Sequence, residues 1–190
     1  MSTIKGKLQS ARGPALAFSA SLSLQIGSAI FVACPDDRLQ AVYYQVDAGV
    51  RSVWRHLRGS AVNPELVRAA EEANRSLWEQ AADLAVPVEF VAGFRDLAAA
   101  SLAHLSDSQA LSHEEASARA VESAGVLEES MESAAGAQSF ERSCQTATDS
   151  ILEGWANDPL STVKRIRRET DVWALAYQRF VGPELGQYHG

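Results

Sequence analysis

Three polar residues interrupt an otherwise largely apolar stretch and are the first candidates for chemistry. Arg95, Asp96 and His104 lie between Pro87 and Leu105, where most of the other residues are apolar. A guanidinium, a carboxylate and an imidazole around one pocket could bind a ligand or move a proton. The alternative is structural, because charges on an apolar helix must reach water or find partners. An ion pair or hydrogen-bond network would then hold Arg95 and Asp96, and His104 would be a hydrogen-bonded core imidazole.

A second candidate is an acidic surface. Residues 107–141 contain eight acidic residues and, as their only basic residue, Arg119. A metal site between helices would need a second, matching carboxylate motif such as Glu-x-x-His, and the sequence has none. The remaining interpretations are a solvated face and a binding surface for a basic partner, with Glu128 and Glu132 one turn apart on one face. The candidate binding residues are Glu122, Glu128, Glu129 and Glu132.

Motifs of the common catalytic and cofactor sites are absent from the sequence. It contains no phosphate-binding glycine loop, no G-x-S-x-G and no H-E-x-x-H, and its four histidines stand apart from one another and from cysteine. The sequence therefore predicts no catalytic residue, no metal and no cofactor. Cys34 and Cys144 form no C-x-x-C pair, so both are predicted to be reduced, buried thiols in a reducing cytosol.

The net charge of −7 argues against nucleic-acid binding, which depends on a basic surface. The run Lys164-Arg-Ile-Arg-Arg168 is the exception, but it falls on an amphipathic pattern through Ile166 and predicts an exposed basic helix face. Some of these arginines could instead pair with the acidic helix.

Apolar periodicity predicts seven helices and no strand. Residues 87–105 are apolar on nearly every side and are predicted to form the central helix. Trp54, Trp78, Trp155 and Trp173 lie on or beside apolar stripes, which predicts core packing. The predicted fold is all-α, a single compact bundle of about seven mostly antiparallel helices around a buried central helix. It forms one domain over residues 1–182, with a loose tail over 183–190. The stripes run through residues 14–32, 39–57, 66–84, 87–105, 116–131, 140–155 and 160–180.

Local signals also predict several helix boundaries. Asn63 and Asp158 are predicted to cap the helices that follow them, and Ser112 begins a capping box. Gly136 and Gly182-Pro183 are predicted to end the fifth and seventh helices.

The first apolar segment raises the question of targeting. Lys5, Lys7 and Arg12 precede the run from Ala15 to Ala33, as in a secretory signal or a membrane anchor. Four serines and a glutamine interrupt the run, which makes it too polar for either. It is predicted to be a first buried helix, and no membrane association is predicted.

Four stretches of the chain carry a resemblance to known proteins. They are Ala15-Leu-Ala-Phe-Ser-Ala-Ser-Leu22, Asp37-Arg-Leu39 with Val53-Trp-Arg-His-Leu57, Pro87 with Asp96-Leu-Ala-Ala-Ala-Ser-Leu102, and Leu111-Ser-His-Glu-Glu-Ala116. Together they are similar to the YjaG-like family of uncharacterised bacterial all-helical proteins. The first helix lacks the Cys-Glu-Arg signature of that family. The resemblance implies a compact helical fold and supplies no catalytic residue, because the family has no established activity.

These observations predict a cytoplasmic protein-binding module without catalysis. A bacterial immunity-type protein, which neutralises a basic toxin through the acidic helix, fits the charge distribution. One alternative is a small enzyme or ligand-binding bundle with a pocket at Arg95, Asp96 and His104. Another is a homodimer that packs surplus apolar helix surface.

Overall fold

Seven α-helices account for nearly all of the chain that the structure, a computed structural model, describes: residues 12–33, 37–84, 86–106 and 110–185. Two single-turn 3-10 helices complete the secondary structure of these residues, and no strand occurs among them, so the predicted all-α bundle is confirmed. Cys34, Asp107 and residues 186–190 of the predicted tail lie outside this part of the chain. The helices are α1 (Gly13–Ala33), α2 (Asp37–Leu57), α3 (Pro64–Glu79), α4 (Val88–Ser106), α5 (His113–Ser130), α6 (Ala137–Leu152) and α7 (Pro159–Leu185).

Side-chain caps fix the starts of three helices where the sequence predicts them. The Asn63 side chain accepts hydrogen bonds from the backbone N–H of Glu65 and Leu66 at 3.0 and 3.3 Å, with proline at the next position. Asp158 accepts from the Ser161 backbone at 3.0 Å before α7. Such caps satisfy N–H groups that have no partner within the helix.

The start of α5 is a capping box. The Glu115 backbone donates to the Ser112 hydroxyl at 3.2 Å, and the Ser112 backbone donates to the Glu115 carboxylate at 2.8 Å. These hydrogen bonds lower the pKa of Glu115, because they favour its charged form. The predicted cap is therefore present in both of its halves.

Replacing Ser112 by alanine is expected to lower the free energy of unfolding by about 1 kcal/mol, because the cap acceptor is lost. Urea denaturation measures the change. Ser150→Ala, an exposed serine within α6, is the control and is expected to leave stability within about 0.5 kcal/mol of the wild type. Equal effects of the two substitutions would show that the cap contributes nothing.

The central helix of the bundle is α1, which corrects the prediction for residues 87–105. Seventeen of its 21 residues are buried, and it packs against α2, α4, α5 and α7. It carries no charged residue, so it can be enclosed on every side. α4 is also largely buried, but Arg95 and Asp96 must reach water, and this keeps one side of α4 at the surface.

The four serines of α1 are buried, and three of them hydrogen-bond to neighbouring helices. Ser21 contacts Thr170 of α7 at 2.6 Å, and Ser23 contacts Ser101 of α4 at 2.9 Å. Ser28 donates to the backbone carbonyl of Ala174 in α7 at 2.7 Å. These bonds offset the cost of burying hydroxyl groups and connect α1 to two neighbouring helices.

α1 is long and apolar enough to cross a membrane, and it is the one such helix among the described residues. Most of its apolar length is covered by protein in the structure. The prediction of a first buried helix is confirmed.

Two helix ends differ from the sequence prediction. α5 ends at Ser130 rather than near Gly136, because Met131 has an extended backbone and is itself buried against the core. At the other end of the chain, α7 continues to Leu185, past Gly182 and Pro183. The last helix therefore ends about one turn later than its sequence pattern predicts.

The arginines of the basic run pair within α7. Arg167 binds Asp171 through two hydrogen bonds of 2.6 and 3.1 Å, and Arg168 binds Glu169 at 2.8 Å. The alternative in which arginines of this run pair with the acidic helix is therefore wrong for these two residues. The outer side of α7 stays basic, with Lys164 and Arg165 exposed.

Candidate protein-binding site

A surface groove lies where the end of α3, the start of α4 and the middle of α5 meet. Its volume is about 270 Å³. The floor is mainly apolar, and three residues of it are unusually accessible for their type: Trp78 and Val88 are exposed, and Val126 is half-buried. The lining residues are Trp78, Val88, Glu89, Ala92, Arg119, Glu122, Ser123 and Val126.

Helix spacing explains the α5 side of this groove. Its four lining residues on α5 fall at steps of three, one and three, which places them on one face of the helix. α4 and α5 approach closely here, because a Cβ built on Gly93 would lie 1.7 Å from the Ser123 hydroxyl. Glycine at position 93 is thus required for this close approach of α4 and α5.

A chain of charged side chains runs beside the groove. The Arg95 guanidinium lies over the Trp78 ring, 4.7 Å from the centroid, and binds Asp96 at 2.7 Å. Asp96 also contacts Arg119 at 3.3 Å, and Arg119 binds Glu122 at 2.9 Å. Two arginines and two carboxylates balance in charge, so this network holds its members in place without adding net charge to the groove.

The structure brings Arg95 and Asp96 together but not His104. His104 lies eight residues further along α4, about 12 Å at 1.5 Å per residue, and does not line the groove. Burial and the positive charge of Arg12 lower the pKa of His104, so its imidazole is neutral near pH 7. The three residues therefore do not share one cavity.

The acidic residues predicted as a binding surface fall into different settings. Glu122 lines the groove and is exposed. Glu129 is also exposed but does not line the groove. Glu128 accepts a hydrogen bond from the Gln138 backbone at 2.9 Å, at the start of α6. Glu132 lies in the 3-10 helix after α5, so the prediction that Glu128 and Glu132 share one helix face is wrong.

A second, more open trough lies on the other side of Glu122. It has a volume of about 500 Å³ and is bounded by α5 and the start of α6. α5 is therefore flanked by concave surface on both sides, with Glu122 on the ridge between them. The trough is lined by Glu114, Ser117, Ala118, Val121, Glu122, Gln138 and Arg142.

Trp78 is the groove residue that the core prediction misplaced. Trp54 and Trp155 are buried and Trp173 is half-buried, but Trp78 is 36% exposed. The apolar stripe of α3 passes through Ala70, Ala73 and Leu77, and Trp78 follows Leu77 directly. One residue is a rotation of about 100° on a helix, which was enough to place Trp78 beside the core instead of in it.

Glu141 is the second residue that the sequence prediction missed. It was counted with the acidic surface, yet it is completely buried. It occupies a core position of α6 between the buried residues Ala137 and Cys144, at helical steps of four and three. That spacing is the sequence signal that could have revealed its burial.

A hydrogen-bond cluster surrounds Glu141 and connects α5, α6 and α7. Its two carboxyl oxygens accept from the Tyr177 hydroxyl at 2.5 Å and the Gln145 amide at 2.8 Å. Gln145 in turn accepts from the Ser117 hydroxyl at 2.5 Å and donates to the Ser117 carbonyl at 3.1 Å. The cluster holds α5, and therefore the ridge that carries Glu122, against the helices behind it.

Burial dominates the titration of this cluster. It raises the pKa of Glu141, while the hydrogen bonds from Tyr177 and Gln145 act in the opposite direction. Burial and the nearby Glu141 carboxylate also raise the pKa values of Tyr177 and Cys144. Cys144 is a buried free thiol, as predicted, and is unreactive in this setting.

Among the described residues, no three His, Cys, Asp or Glu side chains come close enough together to hold a metal ion. No protein-family model, curated protein or solved structure matches this chain.

Proposed function

We propose that this protein is a cytoplasmic, non-catalytic binding module that captures a basic protein partner on α5 and the adjoining Trp78 groove. An immunity-type role, in which the partner is a basic bacterial toxin, fits this surface. The observation that carries the proposal is the exposed Trp78 and Val88 beside an acidic helix face on which Glu129 makes no ion pair within the described residues. Aromatic anchors beside charged rims are typical of binding surfaces.

Charge supports a basic partner. The arginines at the groove are already paired with Asp96 and Glu122. Glu89 and Glu129 are exposed and make no ion pair within the described residues, so the face has a net negative charge. Such a field raises the association rate of a positively charged partner and is weakened by salt.

Packing supports a rigid binding surface rather than an adaptable one. α5 is fixed at its start by the capping box and from behind by the Glu141 cluster. A surface that is already ordered loses less conformational entropy on binding. A ligand-binding site at Arg95, Asp96 and His104 has less support, because these residues do not line one cavity.

Titration with a synthetic helical peptide that carries leucines between arginines tests the proposal by calorimetry. The Glu122→Lys/Glu129→Lys variant is expected to bind this peptide at least about tenfold more weakly, a loss of about 1.4 kcal/mol. Trp78→Ala is expected to weaken binding as well, because the apolar anchor is removed. Glu153→Lys, which reverses an exposed charge outside both the groove and α5, is the control. Equal affinities of the wild type and the double variant would contradict the proposal.

A further inference from the structure

The outward side of α7 is an apolar patch with basic ends. Arg165, Arg168, Val172, Leu175 and Arg179 are all exposed and follow one another at steps of three and four, so they form one stripe along the helix. Val172 and Leu175 are each 58% exposed, more than any other large apolar residue in the described ranges. Arg165 and Arg179, at the two ends, make no ion pair within these ranges. We call these five residues the basic stripe.

α5 presents a stripe of the opposite charge. Glu115, Ala118, Glu122, Val126 and Glu129 follow at steps of three and four, and all are exposed except the half-buried Val126. We call these residues the acidic stripe. Each stripe covers 15 residues, so its ends are 14 steps apart, about 21 Å at 1.5 Å per residue. Each stripe has a charged residue at both ends and one more between them, Arg168 or Glu122, with apolar side chains at its other two positions. The stripes therefore match in length and oppose each other in charge.

The two stripes cannot satisfy each other within one molecule. α5 and α7 each pack against α1 and do not pack against each other along their length. The ion pairs that Arg167 and Arg168 form are internal to α7. Within the described part of its own chain, the basic stripe therefore has one ion pair, between Arg168 and Glu169, and Arg165 and Arg179 have none.

We propose that the basic stripe of one molecule binds the acidic stripe of a second copy of this chain. The groove beside Glu122 would receive the apolar pair Val172 and Leu175, and the terminal arginines would face carboxylates. This inference rests on the proposed function, because it assigns a second copy of the chain to the α5 face that the proposed function assigns to an external basic partner. Self-association would then compete with capture of an external partner.

Exposed ion pairs and a small contact area predict a weak, salt-sensitive association between the two copies. Exposed ion pairs contribute at most about 1 kcal/mol each, and two helix faces form a small interface. The contact is head-to-tail, so each added molecule leaves one free stripe of each kind unless the rotation closes a ring. Association should therefore grow with protein concentration and decrease as salt screens the charges.

Sedimentation equilibrium of the full chain tests this inference, at about 0.02 M and about 0.5 M salt. The wild type is expected to associate at low salt and to be monomeric at high salt. Arg165→Glu/Arg179→Glu removes the basic ends, and Glu122→Lys/Glu129→Lys reverses the acidic stripe. Each variant alone is expected to be monomeric, and their equimolar mixture is expected to form a one-to-one complex, because each supplies the stripe that the other lacks.

Two matched variants sharpen the test. Val172→Gln/Leu175→Gln keeps every charge and is expected to weaken association about tenfold, about 1.4 kcal/mol. Glu153→Lys is expected to associate as the wild type does. Circular dichroism verifies that each variant is folded. A wild type that stays monomeric at low salt, a mixture of the two charge variants that forms no complex, or unchanged association of the glutamine variant would overturn the inference.

The outcomes separate this inference from the proposed function. Peptide binding that depends on Glu122 and Glu129, without any self-association, would overturn the inference alone. Complementation between the two charge variants, without peptide binding, would support the inference and contradict capture of a basic external partner.

Discussion

Replacing Phe94 by alanine is expected to lower the free energy of unfolding by about 4 kcal/mol. Phe94 is 2% exposed and lies where three helices meet. Its ring packs so closely on Gly27 of α1 that a Cβ there would lie 2.6 Å from the ring, and it also neighbours Tyr43 of α2, with centroids 6.1 Å apart. Truncation leaves a cavity that rigid helices on three sides cannot fill. Thermal or urea denaturation should show the loss, and the melting temperature should fall by roughly 8 to 16 °C.

Trp78→Ala is the matched control for Phe94→Ala. It also removes a large aromatic ring, but from a side chain that is 36% exposed and whose ring lies under the Arg95 guanidinium. Its cost should be about 1 kcal/mol. Trp78→Ala should instead reduce peptide binding, and Phe94→Ala should not do so while the protein remains folded. A greater loss of stability for Trp78→Ala than for Phe94→Ala would contradict the assignment of Trp78 to the groove and Phe94 to the core.

Replacing Glu141 by glutamine is expected to change how stability depends on pH. Because burial raises the pKa of Glu141 in the folded state, the folded protein keeps a proton that the unfolded chain releases above its ordinary value of 4.5. The contribution of Glu141 to stability is thus fully present below pH 4.5 and is lost as pH rises through the folded pKa. One such proton gives a slope of up to about 1.4 kcal/mol per pH unit. Glutamine keeps the shape of the side chain and has no proton to release.

The free energies of unfolding of the wild type and Glu141→Gln, measured from about pH 4 to about pH 8, test this expectation. The variant should gain stability relative to the wild type as pH rises. The test uses the difference in free energy of unfolding between the two proteins at each pH. Either curve alone also contains the contribution of His104, which changes with pH in the opposite direction. Its pKa is lowered in the folded state, so its contribution is lost as pH falls below 6.5. Parallel curves for the wild type and Glu141→Gln would show that Glu141 is ionised in both states.

The Glu141 cluster also matters for the proposed binding surface. It joins Ser117, two residues before the first groove residue of α5, to Tyr177 of α7. α5 and α7 carry the acidic and basic stripes. A change in the protonation of Glu141 would therefore act on the support of both surfaces at once.

The sequence by itself determined the helices and most of their starts. Asn63, Ser112 and Asp158 cap the helices that they precede, because a cap depends only on residues within one turn of it. Apolar periodicity likewise predicted the all-α bundle, since each helix needs one face to bury. These are local properties, and they require no knowledge of which helices become neighbours.

Only the tertiary structure decided which helix is central and which polar residues are buried. α1 and α4 are both strongly apolar, and α1 occupies the centre because its serines find acceptors on α4 and α7. Glu141 is buried because Gln145 and Tyr177 satisfy its carboxyl group, and Tyr177 is 36 residues away along the chain. Trp78 follows the buried Leu77 but is 36% exposed, because its side chain lines the surface groove that α3 forms with α4 and α5. For the centre of the bundle and for Glu141, the deciding contacts join residues distant in sequence. Helical spacing can indicate that a position is buried, as at Glu141, but it does not identify the residue that contacts it there.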